Sequence, residues 1–205
     1  MFNYTVMRLF VCLVAVLILG VACAKAPENQ VALTRSVLDS AMTSEAEKYA
    51  PDELKAAKDS LEVAMIEIEK QNSKFALTRK YGKSEQQLQS AQSLARTAAE
   101  AAVVNKARIK SEAEDMMRQL ETAITESKAL IEQAPRGKEG IAALELIKSD
   151  VTAVETSLPE ISATLAKEDF IGAREMARAG LEKIQAVNDE LNQAIAKKQM
   201  IKKSM

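Results

Sequence analysis

The longest stretch of this sequence without a strong helix breaker runs from Lys74 to about Glu132. It contains no proline, and Gly82 is its one glycine among residues that favour helix. Apolar and small residues recur in it at alternating spacings of three and four, the pattern of a helix that packs along one face. The stretch therefore predicts one long helix, which must bury that face against further helices.

The apolar face of this long helix has two parts. The alternating spacing continues to Ala102 and resumes at Ala113, and the eleven-residue unit between them relaxes a left-handed supercoil. We interpret this unit as the junction between two bundles. The predicted core positions are Leu77, Tyr81, Ser84, Leu88, Ala91, Ala95, Ala98, Ala102, Asn105, Ile109, Ala113, Met116, Leu120, Ala123, Ser127 and Leu130.

Shorter helices are predicted on both sides. We expect one over about residues 28 to 47, and a second that begins at Pro51, a residue suited to a first helical turn, and ends near residues 71 to 73. A later helix contains Pro159, which predicts a kink or a brief break because an interior proline removes a hydrogen bond. Its core positions are Leu144, Ile147, Val151, Val154, Leu158, Ile161 and Leu165. The last helix begins at Phe170 and ends in a basic tail.

These helices predict an all-α fold, an elongated helical bundle of two three-helix units that share the long central helix. The arrangement is similar to tandem spectrin repeats. The predicted segments are a signal peptide over residues 1–22, an acylated leader over 23–27, an N-terminal bundle over 28–102, and a C-terminal bundle with the basic tail over 103–205.

An uncharged apolar run from Leu9 to Ala22 follows Arg8, as in a secretory signal, and is short for a membrane span. It ends in Gly20-Val21-Ala22-Cys23, which resembles the lipobox of bacterial lipoproteins. The family prefers leucine three residues before the cysteine, where this sequence has Gly20. The resemblance implies cleavage before Cys23 and a covalent lipid on its sulfur.

A conventional cleavage site, with Cys23 as an ordinary residue, is the alternative. The exported chain would then carry one unpaired thiol, because Cys12 leaves with the signal. Residue 24 is Ala24 and not the aspartate that resembles an inner-membrane retention signal. The sequence thus favours a lipid-anchored protein of the bacterial envelope, on the outer membrane and facing the periplasm.

A second resemblance covers about residues 28–105. The segment Tyr49-Ala50-Pro51-Asp52-Glu53-Leu54 is followed by Ala56, Ala57, Leu61, Ala64, Phe75 and an alanine-rich run over residues 91–102. This pattern is similar to an uncharacterised domain family of bacterial envelope proteins, often lipoproteins. The resemblance implies a helical module without known catalytic residues, and it does not reach the C-terminal half.

The chemistry open to the chain is narrow. It has no histidine, and Cys23 is the one cysteine after the signal, so it lacks an imidazole base and an ordinary zinc or copper site. We expect no catalytic residue, no metal and no cofactor beyond a lipid on Cys23. The acidic residues Glu112, Glu114 and Asp115 are interpreted as a solvated helix face. A net charge of −1 without a basic stripe predicts no nucleic-acid partner.

The basic tail has two interpretations. Lysines at a helix C-terminus are favourable with the helix dipole and need no further role. Alternatively, they form a patch that contacts anionic lipid headgroups or an acidic envelope polymer. The residues concerned are Lys197, Lys198, Lys202 and Lys203.

The sequence as a whole favours a structural or adaptor protein, not an enzyme. It would be held at the membrane by its lipid and would present a helical surface to an envelope protein or a cell-wall partner. Self-association is left open. The alternative is a carrier that binds an apolar ligand, such as a lipid, between its helices.

Overall fold

The computed structural model describes residues 25–135 and 138–204, and this part of the chain contains helices and no strand. The predicted all-α helical bundle is confirmed. The elements are α1 (Glu28–Thr43), α2 (Ala46–Tyr49), α3 (Pro51–Asn72), a 3₁₀ turn (Ala76–Thr78), α4 (Gly82–Gln133), α5 (Lys138–Ala166) and α6 (Phe170–Ser204). None of the described helices is long and apolar enough to cross a membrane.

The chain divides into two compact units. The N-terminal unit ends at Val103 and the C-terminal unit begins at Val104. Both limits fall within α4, so this one helix contributes its first part to the N-terminal core and the remainder to the C-terminal core.

The N-terminal unit packs α1, α2 and α3 with the first part of α4. Two side-chain hydrogen bonds join its helices: Gln92 donates to the Thr34 hydroxyl at 2.9 Å, and Ser60 donates to the Gln87 carbonyl at 3.1 Å. Its largest fully buried apolar side chains are Leu54 and Leu88. Alanines with no exposed surface fill most of the remaining core, namely Ala41, Ala46, Ala57, Ala64, Ala91, Ala95, Ala98 and Ala102.

The C-terminal unit packs the second part of α4 with α5 and α6. Leu120, Ile161 and Ile184 are fully buried, one on each helix. Gly180 lets α6 approach closely, because a Cβ there would lie 2.9 Å from a methyl carbon of Leu120. Helix α6 is capped by Asp169, whose carboxylate accepts a hydrogen bond from the Gly172 backbone N–H at 3.3 Å.

One polar pair lies inside the C-terminal core. The Ser127 hydroxyl on α4 donates to the side-chain carbonyl of Asn188 on α6, and both residues are buried. The Asn188 amide donates in turn to the Ala123 carbonyl at 3.3 Å. Because each group has a partner, this pair fixes the register of α6 on α4 without leaving a buried donor unpaired.

The predicted core positions are confirmed along most of the chain. Those of α4 from Tyr81 onward are buried or half-buried, and so are all seven predicted on α5. Leu77 is the exception, since 61% of its surface is exposed. The prediction that the long helix begins at Lys74 is wrong, because α4 begins at Gly82 and residues 73–81 form a connection.

The first helix was predicted as one segment over residues 28 to 47, and this is wrong. Helix α1 ends at Thr43, and Glu45 adopts a left-handed backbone with φ of 59° before α2 begins. The hydroxyls of Thr43 and Ser44 donate to carbonyls one turn earlier, at 2.9 and 3.1 Å, which satisfies groups at the end of α1. The change of chain direction at Glu45 places Ala46 and Tyr49 of α2 in the core, where both are buried.

Pro159 does not break its helix, so the predicted brief break is wrong. Helix α5 continues from Lys138 to Ala166 with the proline inside it. The Ser157 hydroxyl donates to the Val154 carbonyl at 2.6 Å, so its side chain serves the turn before the proline and does not cap a new helix. Val154 and Ile161, on either side of Pro159, are both buried, and packing of this face offsets the lost hydrogen bond.

Candidate functional site

The connection between α3 and α4 is held by several side-chain hydrogen bonds. We call residues 73–81 the 73–81 loop. Phe75 and Arg79 have ψ values of 136°, so the backbone is extended on both sides of the 3₁₀ turn and cannot continue either helix. Phe75 also begins the turn, since its carbonyl accepts hydrogen bonds from the Thr78 backbone and the Thr78 hydroxyl.

Side chains from the end of α3 and from the loop itself hold this backbone. Arg79 donates to the carbonyls of Lys74 and Asn72 at 3.0 and 2.9 Å. The Gln71 side-chain carbonyl accepts from the Lys80 backbone at 3.0 Å, and the Tyr81 hydroxyl donates to the Asn72 side-chain oxygen at 2.5 Å. Gln71 and Tyr81 are both buried. The loop is therefore held by these hydrogen bonds and by the buried Tyr81, which packs in the core with Ala64, Ile68 and Leu88.

Two large apolar side chains of this loop lie in solvent. Phe75 is 73% exposed and Leu77 is 61% exposed, which makes them two of the most exposed large apolar residues described in the N-terminal unit. Their neighbours Ser73, Lys74, Thr78 and Lys80 are also exposed. A fold that orders a loop with this many hydrogen bonds and still presents its phenylalanine and leucine to water is typical of an interaction surface.

Cations are the charged residues nearest to this apolar pair in the sequence. Lys74, Arg79 and Lys80 lie in the loop, and exposed Lys70 and Lys83 flank it on α3 and α4. No carboxylate occurs in the sequence between Lys70 and Lys83. The segment is therefore positively charged on both sides of its apolar pair in the sequence.

One carboxylate, that of Glu67, lies close enough to three of these lysines to interact with their charge. Glu67 accepts a hydrogen bond from the Gln71 amide at 2.6 Å, and this bond, together with the positive charge of Lys70, Lys83 and Lys74, holds the pKa of Glu67 below its ordinary value. Glu69 and Glu85 are the other acidic residues nearest in sequence. Because Glu67 stays ionised, it orients Gln71, which in turn positions the Lys80 backbone.

A surface cavity of about 740 Å³ lies between the 73–81 loop and residues 25–27. On one side lie Lys25, Ala26 and Pro27, and on the other Ala76 and Arg79 of the loop. The remaining lining is mostly polar, with Glu28, Asn29, Gln30, Asn72, Tyr81 and Glu85. Residues 25–27 and the 73–81 loop thus lie at the same end of the N-terminal unit.

A smaller and more apolar groove of about 300 Å³ lies between α1 and α3. Val31, Met65 and Ile68 supply its apolar wall, and Glu28, Arg35 and Asn72 are polar residues of its lining. Its volume is at the lower end of the range for small-ligand pockets. The carrier hypothesis requires an apolar opening between helices, and this groove is a small opening of that kind.

The predicted lipidation residue, Cys23, lies outside the described residues, as does the predicted signal peptide. The predicted polyanion contacts lie in the C-terminal unit, on the last turns of α6. Lys197, Lys198 and Lys202 are exposed there, and Lys203 belongs to the same helix. Met200 and Ile201 lie between them and are 67% and 54% exposed.

The acidic residues that the sequence analysis interpreted as a solvated face are each next to a basic side chain. Arg174 of α6 donates a hydrogen bond to the Glu112 carboxylate at 3.0 Å, and Arg108 forms an ion pair with the same carboxylate. Asp115 pairs with Arg118, and Glu114 lies 3.9 Å from Lys110. Within residues 25–135 and 138–204, no group of three or more acidic or other metal-binding side chains is placed to hold a metal ion.

The described residues form two helical units, and part of the chain matches a protein family. Residues 29–108 match the family described as Domain of unknown function (DUF4398). The match contains α1, α2, α3, the 73–81 loop and the first part of α4, so the surface around Phe75 lies within it. The predicted resemblance to an uncharacterised domain family is confirmed as far as a domain of unknown function. Comparison with curated proteins and with solved structures gave no match.

Sequence reasoning missed the 73–81 loop as a site. Periodicity assigned Leu77 to the core of a continuous helix, although it is exposed. Two signals were present: five cations without a carboxylate from Lys70 to Lys83, and Gly82, a poor helix former, at the true start of α4.

Proposed function

We propose that this protein is a lipid-anchored structural or adaptor protein of the bacterial cell envelope, without catalytic activity. It presents helical surfaces to an envelope protein or to the cell wall. The anchor is a lipid on Cys23, after removal of residues 1–22, and the outer membrane facing the periplasm is the favoured location. The lipobox-like sequence Gly20-Val21-Ala22-Cys23 supports this part of the proposal.

The observation that carries the adaptor role is the closure of both cores. Leu54 and Leu88 in the N-terminal unit, and Leu120, Ile161 and Ile184 in the C-terminal unit, have under 2% of their surface exposed. Side chains buried this fully leave little space between the helices for a ligand. The features that remain for recognition are on the surface, above all the 73–81 loop.

The carrier is the second candidate, and one observation favours it. The groove lined by Val31, Met65 and Ile68 is open, apolar and about 300 Å³ in volume. It accommodates a short apolar group. A carrier of whole lipids would need α1 to move away from α3, at the cost of exposing buried Leu38 and Ala41.

Mass spectrometry of the protein purified from its host membranes tests the lipid anchor. The proposal expects a mature chain that begins at an acylated Cys23, and a Cys23→Ser variant that is released from membranes or is not processed. Ser44→Ala serves as the control, since it leaves the N-terminus intact. An unmodified Cys23 would refute the anchor.

Native mass spectrometry of the same protein separates adaptor from carrier. The adaptor role predicts no lipid held in addition to the covalent one. A noncovalent lipid that is present in the wild type and lost in a folded Met65→Gln variant would favour the carrier, because Met65 lines the groove. The exposed neighbour Ile66, changed to glutamine, is the matched control.

A further inference from the structure

The 73–81 loop combines order with apolar exposure. Arg79, Gln71 and Tyr81 fix its backbone through hydrogen bonds of 2.5 to 3.0 Å, while Phe75 and Leu77 remain 73% and 61% exposed. Exposed large apolar side chains are unfavourable in water. A loop that keeps two of them exposed can therefore bury them in an interface with another molecule.

The charges around the apolar pair indicate the chemistry of what covers it. Lys74, Arg79 and Lys80 lie in the loop, with Lys70 and Lys83 beside it, and this run of the sequence has no carboxylate. Exposed apolar side chains with cations on both sides of them in the sequence match the boundary of an anionic bilayer, where acyl chains lie beneath negatively charged headgroups. An enclosed protein groove would require these lysines to lose their water.

The position of the loop agrees with this chemistry. Lys25, Ala26 and Pro27 border the same cavity as Ala76 and Arg79. Lys25 is two residues after Cys23, so a lipid on that cysteine would bring the bilayer to this end of the N-terminal unit. The loop would then face the membrane that holds the anchor.

We propose that the 73–81 loop is a second membrane contact, in which Phe75 and Leu77 enter the interfacial region of an anionic phospholipid bilayer while the neighbouring lysines and Arg79 contact its headgroups. This inference rests on the proposed envelope function for its biological setting. It does not need the lipid on Cys23, because the contact is made by residues of the loop.

The test is vesicle binding by a chain that begins at Ala24. This chain retains every described residue and lacks the acylation site, so its result is independent of whether Cys23 is lipidated. Co-sedimentation is measured with vesicles of phosphatidylglycerol and phosphatidylcholine in equal parts, and with vesicles of phosphatidylcholine alone. Binding to the anionic vesicles, weakened by added salt, is expected.

Two pairs of variants identify the surface that binds. Phe75→Ser with Leu77→Ser removes the apolar pair, and its matched control is Val63→Ser with Ile66→Ser, which are 47% and 58% exposed on α3. Lys80→Gln with Lys83→Gln removes two charges from exposed positions at the end of the loop and the start of α4. Its matched control is Lys55→Gln with Lys58→Gln, which removes the same charge from exposed positions of the same unit.

Each loop variant is expected to weaken partitioning by about tenfold or more, and each control to leave it within about twofold. Far-UV circular dichroism checks that all four variants are folded. No binding of wild type to anionic vesicles would overturn the inference, as would equal binding by the Phe75→Ser and Leu77→Ser variant. Binding of soluble polyglutamate in place of vesicles would assign the surface to an acidic protein partner and would likewise overturn it.

Discussion

The N-terminal unit closes its core mainly with alanine, whereas the C-terminal unit closes its core mainly with leucine, isoleucine and valine. Among the described residues, nine of the fifteen buried apolar side chains before Val104 are alanines, against four of the eighteen after it. An alanine core brings helix backbones close together but removes less apolar area from water per residue. The two units therefore reach a closed core by different means.

This difference concerns the size of the side chains that close each core. In the C-terminal unit they fill the space between α4, α5 and α6, so they contribute directly to stability. In the N-terminal unit the buried cluster around Ala64 and Leu88 is small, and Phe75 and Leu77 are exposed. Both units also expose large apolar side chains, among them Phe75 and Leu77 in the N-terminal unit and Leu146 and Met200 in the C-terminal unit.

The comparison predicts that the C-terminal unit is the more sensitive to loss of side-chain volume. Ile184 is fully buried, so Ile184→Ala should destabilise this unit by about 2–5 kcal/mol through lost burial and the resulting cavity. Ile141→Ala, at a position 53% exposed in the same unit, is the control and should have little effect.

Tyrosine makes it possible to observe the units separately. The chain has no tryptophan, and its tyrosines beyond the signal, Tyr49 and Tyr81, both lie in the N-terminal unit. In urea, Ile184→Ala should shift the far-UV dichroism transition to lower denaturant and leave the tyrosine fluorescence transition nearly in place. Equal shifts in both signals would mean that the two units unfold together, and the comparison would fail.

The N-terminal unit should instead be the more sensitive to added volume. Ala57 is fully buried on α3, and Ala57→Leu should destabilise the unit by about 1–3 kcal/mol, because the heavy atoms that leucine adds have no space in a close-packed core. Ala56, its exposed neighbour in sequence, provides the control Ala56→Leu. Tyrosine fluorescence in urea measures both. A neutral Ala57→Leu would show that the alanine core is loosely packed.

The smallest predicted effect concerns charge in the C-terminal unit. Hydrogen bonds from Arg174, and then from Arg108, hold the pKa of Glu112 below its ordinary value. The stability that this carboxylate contributes is therefore present above the ordinary carboxyl pKa, and is lost as the pH falls through the lower pKa of the folded state. Because the pair is partly exposed, the contribution is modest.

Urea denaturation at neutral pH and at about pH 3, below the carboxyl range, tests this sign. Glu112→Gln should lower the midpoint slightly at neutral pH, and the difference from wild type should shrink in acid. Glu114→Gln, whose carboxylate lies 3.9 Å from Lys110, is the control on the same helix. A difference that grows in acid would contradict the prediction.

Much of the fold could be predicted because apolar spacing reports directly on which helix face is buried. The spacing identified Leu88 and Ala95 in one unit and Val151 and Ile161 in the other, all of them buried. It could not locate the start of α4, because residues 74–81 also contain good helix formers at helical spacing. What excludes them from the helix is side-chain bonding to Gln71 and Asn72, which periodicity does not detect.

The same limitation applied to the candidate site. A leucine and a phenylalanine in a sequence are expected in the core, and their exposure follows from a loop whose geometry is set by Arg79 and Tyr81. The left-handed residue Glu45 was equally hidden, since glycine is the usual residue at such a φ. These features depend on contacts between residues that are several positions apart.

The short leader beside the 73–81 loop has a consequence for binding strength. From Cys23 to Lys25 the chain spans at most about 7 Å, so on the proposed anchor the loop cannot diffuse away from the bilayer. A tether this short raises the effective concentration of lipid around Phe75 to about the millimolar range or above. A loop that binds free vesicles only weakly would then stay bound for much of the time. The affinity of the loop would determine how the N-terminal unit is oriented on the bilayer, while the lipid on Cys23 would keep it attached.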